Sequence, residues 1–230
     1  MNGFLLINKP AGITSYDVIR QIKKCLPPKT KIGHSGTLDP FATGLLIIAI
    51  GRQYTKQLNQ LIKFDKSYTA EITFGIETDS YDIDGKILKE TKENLNLDID
   101  TVKSKLNEFK GTIEQTPPAF SAKKINGVPA YKLAREGKQT ELKSSLVTIY
   151  KVDLINNQLI ENKISVSIDC SKGTYIRSIA HDLGRKLSVG AHLSKLTRTA
   201  IGKNKLINAT NLNEISETTL KLHLKIDLEQ

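Results

Sequence analysis

The sequence predicts an α+β fold around one mixed sheet, and three observations support this. Strand-like and helix-like segments are interspersed without the regular βαβ alternation of a parallel-sheet protein. Hydrophobic residues make up 39% of the 230 residues and charged residues 25%, an ordinary globular balance that leaves enough apolar side chain for a sizeable core. The longest apolar run, Leu45 to Ile50, suits a buried strand and falls far short of a bilayer span.

The elements follow in order. Gly3 to Asn8 reads as a short buried strand. Ser15 can cap a helix running to about Leu26, with Val18, Ile19 and Ile22 on its apolar stripe, and Pro27-Pro28 ends it. A glycine-rich loop occupies Lys31 to Gly44, ahead of the strand Leu45 to Ile50. Thr55 to Ile62 reads as a short helix. In Ser67 to Phe74 the residues Tyr68, Ala70, Ile72 and Phe74 share one face of a strand. Thr78 to Gly85 is an acidic turn. Asp98 to Phe109 is an amphipathic helix with Ile99, Val102, Leu106 and Phe109 on one stripe. Thr116-Pro117-Pro118 is a break, and Pro129 opens a helix closed by Gly137. Leu146 to Leu154 and Ile164 to Cys170 read as strands, and Thr174 to Leu187 as a helix. After Lys205 the pattern predicts one short helix and a fraying tail.

Charge and composition narrow the class. The net charge is +10, and Lys163 to Lys205 holds nine basic residues against Asp169 and Asp182, which is +7 of it. A concentrated basic surface attracts a polyanion, with nucleic acid the first candidate and an anionic membrane the second. The alternative is a solvated lysine-rich face. Cys25 and Cys170 are too far apart in sequence for a metal knuckle or a redox pair, and the four histidines are scattered, so no metal is expected. The N-terminus has no basic region ahead of its short apolar run, so it does not read as a signal peptide, and a cytoplasmic protein is expected.

Two loops carry candidate chemistry. Gly33-His34-Ser35-Gly36-Thr37-Leu38-Asp39-Pro40-Phe41-Ala42-Thr43-Gly44 has three glycines in twelve residues, which allows tight bends and close ligand approach. Pro40 pushes Asp39 out of helical geometry, so its carboxylate sits on a stiff loop just before a buried strand. A structural Asp-Pro turn is the alternative reading. No lysine follows the glycines as in a phosphate loop. Ser171 to Arg177 joins a strand to a helix and puts Arg177 in the first helical turn, which suits an arginine only beside an anion. Asp39 is a candidate for that anion, and phosphate or solvent is the alternative.

Gly33 to Gly44 closely resembles the catalytic loop of the TruB family of pseudouridine synthases, and the resemblance runs nearly end to end. Phe4 to Asp17 resembles the family's opening motif, and Lys66-Ser67-Tyr68 with Gly75 its second. Gln115 to Ala122 and Gly127 to Gly137 resemble its central segment, and Lys172 to Gly184 and Gly190 to Gly202 its last motifs. Five ordered matches make chance similarity remote.

The resemblance implies the pseudouridine synthase fold, a mixed, largely antiparallel sheet with helices and loops around an active-site cleft. It implies isomerisation of the T-loop uridine at position 55 of tRNA, without cofactor or metal. Carried over residue by residue, it makes Asp39 the catalytic carboxylate, as nucleophile or as base. Tyr68 becomes the tyrosine that stacks on the target base, and Arg177 the arginine paired with the aspartate. His34 is implied near the flipped base, Tyr175 and Leu196 in the lining of the base pocket, and Lys9 near the cleft. The implied partner is the tRNA T-arm, with no membrane and no obligate protein partner, for a monomer.

Residues 1–205 are expected to form the catalytic domain and 206–230 a short helix and tail, without the full C-terminal RNA-binding domain of longer family members. Thr197 stands where relatives often have a second arginine. The rivals are a related synthase acting on another RNA, including guide-dependent relatives, and an RNA-binding or chaperone protein without chemistry.

Overall fold

A computed structural model describes residues 1–91, 95–125, 127–137, 142–156 and 158–228. The chain divides into two units, Met1–Thr69 with Leu196–Gln230, and Ala70–Lys195. It opens with β1 (Gly3–Lys9), α1 (Ser15–Lys23), β2 (Ile32–His34), β3 (Thr43–Ile50), α2 (Arg52–Thr55), α3 (Leu58–Leu61) and β4 (Lys66–Phe74). β5 (Ile76–Thr78), β6 (Ile87–Glu90), α4 (Ile99–Asn107), β7 (Gly111–Gln115), β8 (Lys124–Ile125), β9 (Val128–Pro129) and α5 (Ala130–Arg135) follow. Then come β10 (Ser145–Leu154), β11 (Lys163–Cys170), α6 (Ile176–Lys186), β12 (Ala191–Ile201), β13 (Asn204–Lys205), β14 (Thr210–Asn211) and α7 (Leu220–His223).

In the first unit β3 is the central strand. β1 lies antiparallel to it, with Phe4 opposite Ala49 and Lys9 opposite Gly44, and β2 is antiparallel along the other edge of β3, with His34 opposite Ile48. β12 runs parallel to β3 at Thr197–Thr43 and Arg198–Gly44, and β14 runs parallel to β1. Alternate side chains of β1 and β3 enter two apolar clusters. Leu5, Ile7, Leu46 and Ile48 meet Val18, Ile19 and Ile22 of α1, while Phe4, Leu6, Leu45 and Ile47 meet Tyr54 and Leu61. Cover on both faces is why these strands read as continuous apolar runs. Each fully buried leucine or isoleucine contributes about 1.5–3 kcal/mol.

Three expectations for this unit change. Thr14, not Ser15, caps α1: its side chain accepts from the Asp17 N–H while the Asp17 carboxylate accepts from the Thr14 N–H. The expected single helix at Thr55 to Ile62 is two short ones, α2 and α3. Residues 206–228 are packed rather than frayed. Leu212 and Leu220 are buried in the cluster of Leu5, and Lys225 exchanges two backbone hydrogen bonds with Phe4 at 2.8 Å.

In the second unit β10 lies between β11 and β7, antiparallel to both. β5–β6 and β8–β9 are small antiparallel hairpins. Val102 and Leu106 of α4 and Ile176, Ile179, Ala180 and Leu183 of α6 are buried. Asp98 caps α4 by accepting from the Thr101 N–H at 2.9 Å. The ladders are mostly antiparallel with parallel members, so the mixed, largely antiparallel α+β sheet is as predicted. β12 is an eleven-residue strand where the sequence suggested none. Ser194, Lys195, Thr197 and Thr199 dilute its apolar alternation, which hid it.

Candidate active site

In the first unit the loop bearing Asp39 is pinned from three directions. The Ser15 hydroxyl, 1% exposed as a residue, donates to Leu38 O at 3.0 Å and accepts from the Leu38 N–H at 2.9 Å. Because Thr14 takes over the capping, this hydroxyl can serve the loop. Lys9 is 0% exposed, and its ammonium donates to Pro10 O at 2.7 Å, Pro40 O at 3.2 Å and Ala42 O at 2.7 Å. Arg198, 2% exposed, donates from Nε to Leu45 O at 2.8 Å and from Nη2 to Gly36 O at 3.1 Å. The loop closes on itself where the Ala42 N–H donates to Asp39 O at 3.1 Å. Gly44, at φ 102°, lies so near the Arg198 backbone that any Cβ there would collide with it. Asp39 is thus half-buried on backbone held at Gly36, Leu38, Pro40 and Ala42.

The electrostatics of this loop follow from the same burial. Desolvation pulls the Lys9 ammonium down from 10.5 to about 8; Asp39 and then Asp17 pull it back up, and Arg198 lowers it further. His34 ends β2, opposite Ile48 of β3. Burial holds its imidazole below the usual range, and the Arg198 charge adds to that, so the ring is neutral at pH 7. Its Nδ1 is buried without a hydrogen-bond partner. Tyr68 on β4 is 9% exposed and Leu196 on β12 is 7% exposed. The Thr197 hydroxyl, at the position where relatives often have a second arginine, meets the Thr43 hydroxyl at 2.8 Å.

In the second unit Arg177 is the second residue of α6 and 4% exposed. The anion that its place in the first turn calls for includes Asp82, whose Oδ2 is 3.2 Å from Nη1. Nη1 also donates to Ser80 O at 2.9 Å, and Nη2 donates to Phe120 O at 2.9 Å. Tyr175 precedes the helix, half-buried. Gln115 clamps it, donating from Nε2 to Tyr175 O at 3.0 Å and accepting from the Tyr175 N–H at 2.8 Å. Ser178 Oγ donates to Thr116 O at 2.8 Å. The segment Gln115–Phe120 therefore fixes the start of α6 at three points.

Sequence reasoning missed Asp82, Ser80 and Gln115 as supporting residues. The available signals were the acidic turn for the first two and the motif position of Gln115. It also read Lys163 to Lys205 as a concentrated basic surface, and the structure shows that only part of that charge is exposed and unpaired. Arg177 and Arg198 are buried against protein carbonyls, Lys186 pairs with Glu108 at 2.7 Å, and Lys195 pairs with Glu71 at 3.0 Å. Lys172, Arg185, Lys203 and Lys205 remain exposed. Among the described residues no group of three or more His, Cys, Asp or Glu side chains is placed to hold a metal ion, and no helix is long and apolar enough to cross a membrane.

Comparison with known proteins supplies a second line of argument. Residues 23–176 match the family model described as TruB family pseudouridylate synthase (N terminal domain). The tRNA pseudouridine synthase B of Protochlamydia amoebophila (strain UWE25) is 47% identical over 219 residues, covering 95% of this chain and 81% of that one. The protein of the same name from Aquifex aeolicus (strain VF5) is 43% identical over 229 residues, covering 99% and 78%. Among solved structures, a chain of a Cbf5-Nop10-Gar1 complex superposes with a TM-score of 0.68 at 26% identity, over 92% of this chain and 53% of that one. A chain of an H/ACA RNP bound to a substrate RNA containing 2′-deoxyuridine gives 0.66 at 25% identity, over 92% and 51%. The chain thus spans about half the length of those two solved chains.

Proposed function

Since this chain belongs to the TruB family of pseudouridylate synthases, we propose that it isomerises the T-loop uridine at position 55 of tRNA to pseudouridine, with Asp39 as its catalytic carboxylate. The reaction is an intramolecular transfer. The C1′–N1 bond breaks, the base turns, a C1′–C5 bond forms, C5 loses its proton and N1 takes one up. The observation that carries the assignment of Asp39 is the rigidity of its loop, held by Lys9, Ser15 and Arg198 through five hydrogen bonds to Gly36, Leu38, Pro40 and Ala42. A carboxylate that acts at an anomeric carbon must be placed within a few tenths of an ångström of its target, and pinning the backbone on both sides achieves this.

The other roles follow the family resemblance. Arg177 is the arginine that the resemblance assigns to the catalytic aspartate, and within the second unit its guanidinium is held by Asp82, Ser80 O and Phe120 O. Tyr68 stacks on the base once it is flipped out, at a cost of a few kcal/mol. His34, Tyr175 and Leu196 line the base site. Lys9 acts through the loop, since its ammonium is buried on the three carbonyls. Residues 1–205 hold every matching motif and are assigned the chemistry. The enzyme binds the T-arm of tRNA, and we expect a cytoplasmic monomer that needs no protein partner. The exposed lysines supply phosphate contacts that are independent of sequence.

Incubation of an unmodified tRNA transcript with the protein, followed by pseudouridine mapping, tests this reading. Pseudouridine at position 55 is expected, with kcat at least about 10³-fold lower for Asp39→Asn and tRNA affinity within threefold of the parent. Salt-sensitive tRNA binding with no product, or product undiminished by Asp39→Asn, overturns it.

A further inference from the structure

The turn between Thr78 and Gly85 holds Asp82 with several bonds. Thr78 Oγ1 donates to Asp82 O at 2.7 Å, Ser80 Oγ donates to Asp82 Oδ1 at 2.6 Å, and the Asp84 N–H donates to the same Oδ1 at 3.1 Å. The Leu193 N–H donates to Tyr81 O at 3.0 Å, and the Ile83 N–H to Leu193 O at 3.1 Å. At the centre of this turn Tyr81 has φ 64°, in the left-handed region that favours glycine and asparagine. A bulky residue persists there when its surroundings over-determine it. The Tyr81 ring lies flat on the His181 ring, with centroids 3.7 Å apart and planes 10° apart. His181 is buried on α6, four residues after Arg177 and so on the same helix face. The residues on either side of Tyr81 are Ser80 and Asp82, both of which face the Arg177 guanidinium.

We propose that Tyr81 and His181 are a positioning pair for Arg177: their ring stack fastens the turn to α6 one helical turn beyond Arg177, and so holds Ser80 O and the Asp82 carboxylate on the guanidinium. The inference rests on the role proposed for Arg177 in the reaction. The charges around the stack fit it. Burial pulls the His181 imidazole down, against the attraction of Glu77 and Asp182 and with the repulsion of Arg185, which keeps the ring neutral at pH 7. Glu77 Oε1 is 3.5 Å from Nδ1, close enough for that attraction but outside hydrogen-bonding geometry. A neutral imidazole lies flat on the phenol without placing a second cation beside Arg177.

The test compares Tyr81→Gly, Tyr81→Phe and His181→Ala with the parent at 25 °C, with circular dichroism run first to verify that each is folded. Glycine suits the left-handed backbone, so Tyr81→Gly removes the ring without adding strain. Tyr81→Gly and His181→Ala are expected to lower kcat about tenfold, as a displaced catalytic group does, with KM and tRNA affinity within threefold. Tyr81→Phe, which keeps the ring, restores the parent rate. A readout that needs no turnover runs alongside, in which side-chain 15N NMR follows the exchange of the Arg177 guanidinium protons. These are expected to exchange slowly in the parent and Tyr81→Phe, and at least tenfold faster in Tyr81→Gly. Parent-like kcat or parent-like Arg177 exchange in Tyr81→Gly overturns the proposal. If the parent itself makes no pseudouridine, the functional reading fails and the guanidinium exchange still decides the stack.

Discussion

Lys9 makes the stability of this protein depend on pH in a direction opposite to most lysines. Its ammonium is fully buried on three carbonyls, and the folded pKa is about 8 against an ordinary 10.5. Between those values the unfolded chain holds a proton that the folded one has released, so stability rises with pH through that window. At about 1.4 kcal/mol per pH unit, burial of the charge costs about 3 kcal/mol at pH 7, and about 2 kcal/mol of that returns by pH 9.5. Other lysines and tyrosines begin to titrate in the same range, so the quantity to measure is the difference between the parent and Lys9→Met. Thermal unfolding of both from pH 7 to pH 9.5 should show that difference moving in favour of the parent by roughly 4–8 °C, at about 2–4 °C per kcal/mol for a chain of this size. A difference that stays constant within about 1 °C refutes the claim that Lys9 is charged and desolvated in the folded protein. Lys9→Met should also lower the rate, because Pro40 and Ala42 lose the donor that holds them beside Asp39.

Asp82→Asn leaves the buried Arg177 short of one anion and should cost about 3 kcal/mol, read by thermal unfolding. The double variant Arg177→Met with Asp82→Leu should lose at least about 1 kcal/mol less than the two single variants together, and strict additivity would show that the pair is not coupled. Ser15→Ala leaves the N–H and C=O of Leu38 without their partner and should cost about 2–4 kcal/mol. It should also slow pseudouridine formation in single-turnover experiments, because Leu38 adjoins Asp39; an unchanged rate would separate Ser15 from the positioning of that carboxylate.

The sequence by itself determined the elements whose signal is local. The apolar runs of β1 and β3, the stripe of α1, the alternation of β4 and the glycine-rich loop with Asp39 were all legible, because periodicity and turn chemistry act over a few residues. The place of Arg177 in a first helical turn called for an anion, for which the sequence offered Asp39, phosphate or solvent, and the second unit supplies Asp82. Which residues support Asp39 and Arg177, each within its own unit, was decided only by the tertiary structure. Asp82 was one acidic residue in an acidic turn, Lys9 was placed near the cleft by resemblance alone, Ser15 looked like a cap, and Arg198 was one of nine charges in a basic stretch. Their partners are 33 residues away for Lys9 and Ala42, 97 for Arg177 and Ser80, and 153 for Arg198 and Leu45. A buried polar group takes whichever backbone carbonyl the fold brings within 3 Å, and that choice has no period along the chain. Apolar burial leaves a regular pattern in the sequence, whereas hydrogen bonding across the fold leaves almost none, so the scaffold could be read in advance and the supports of the Asp39 loop could not.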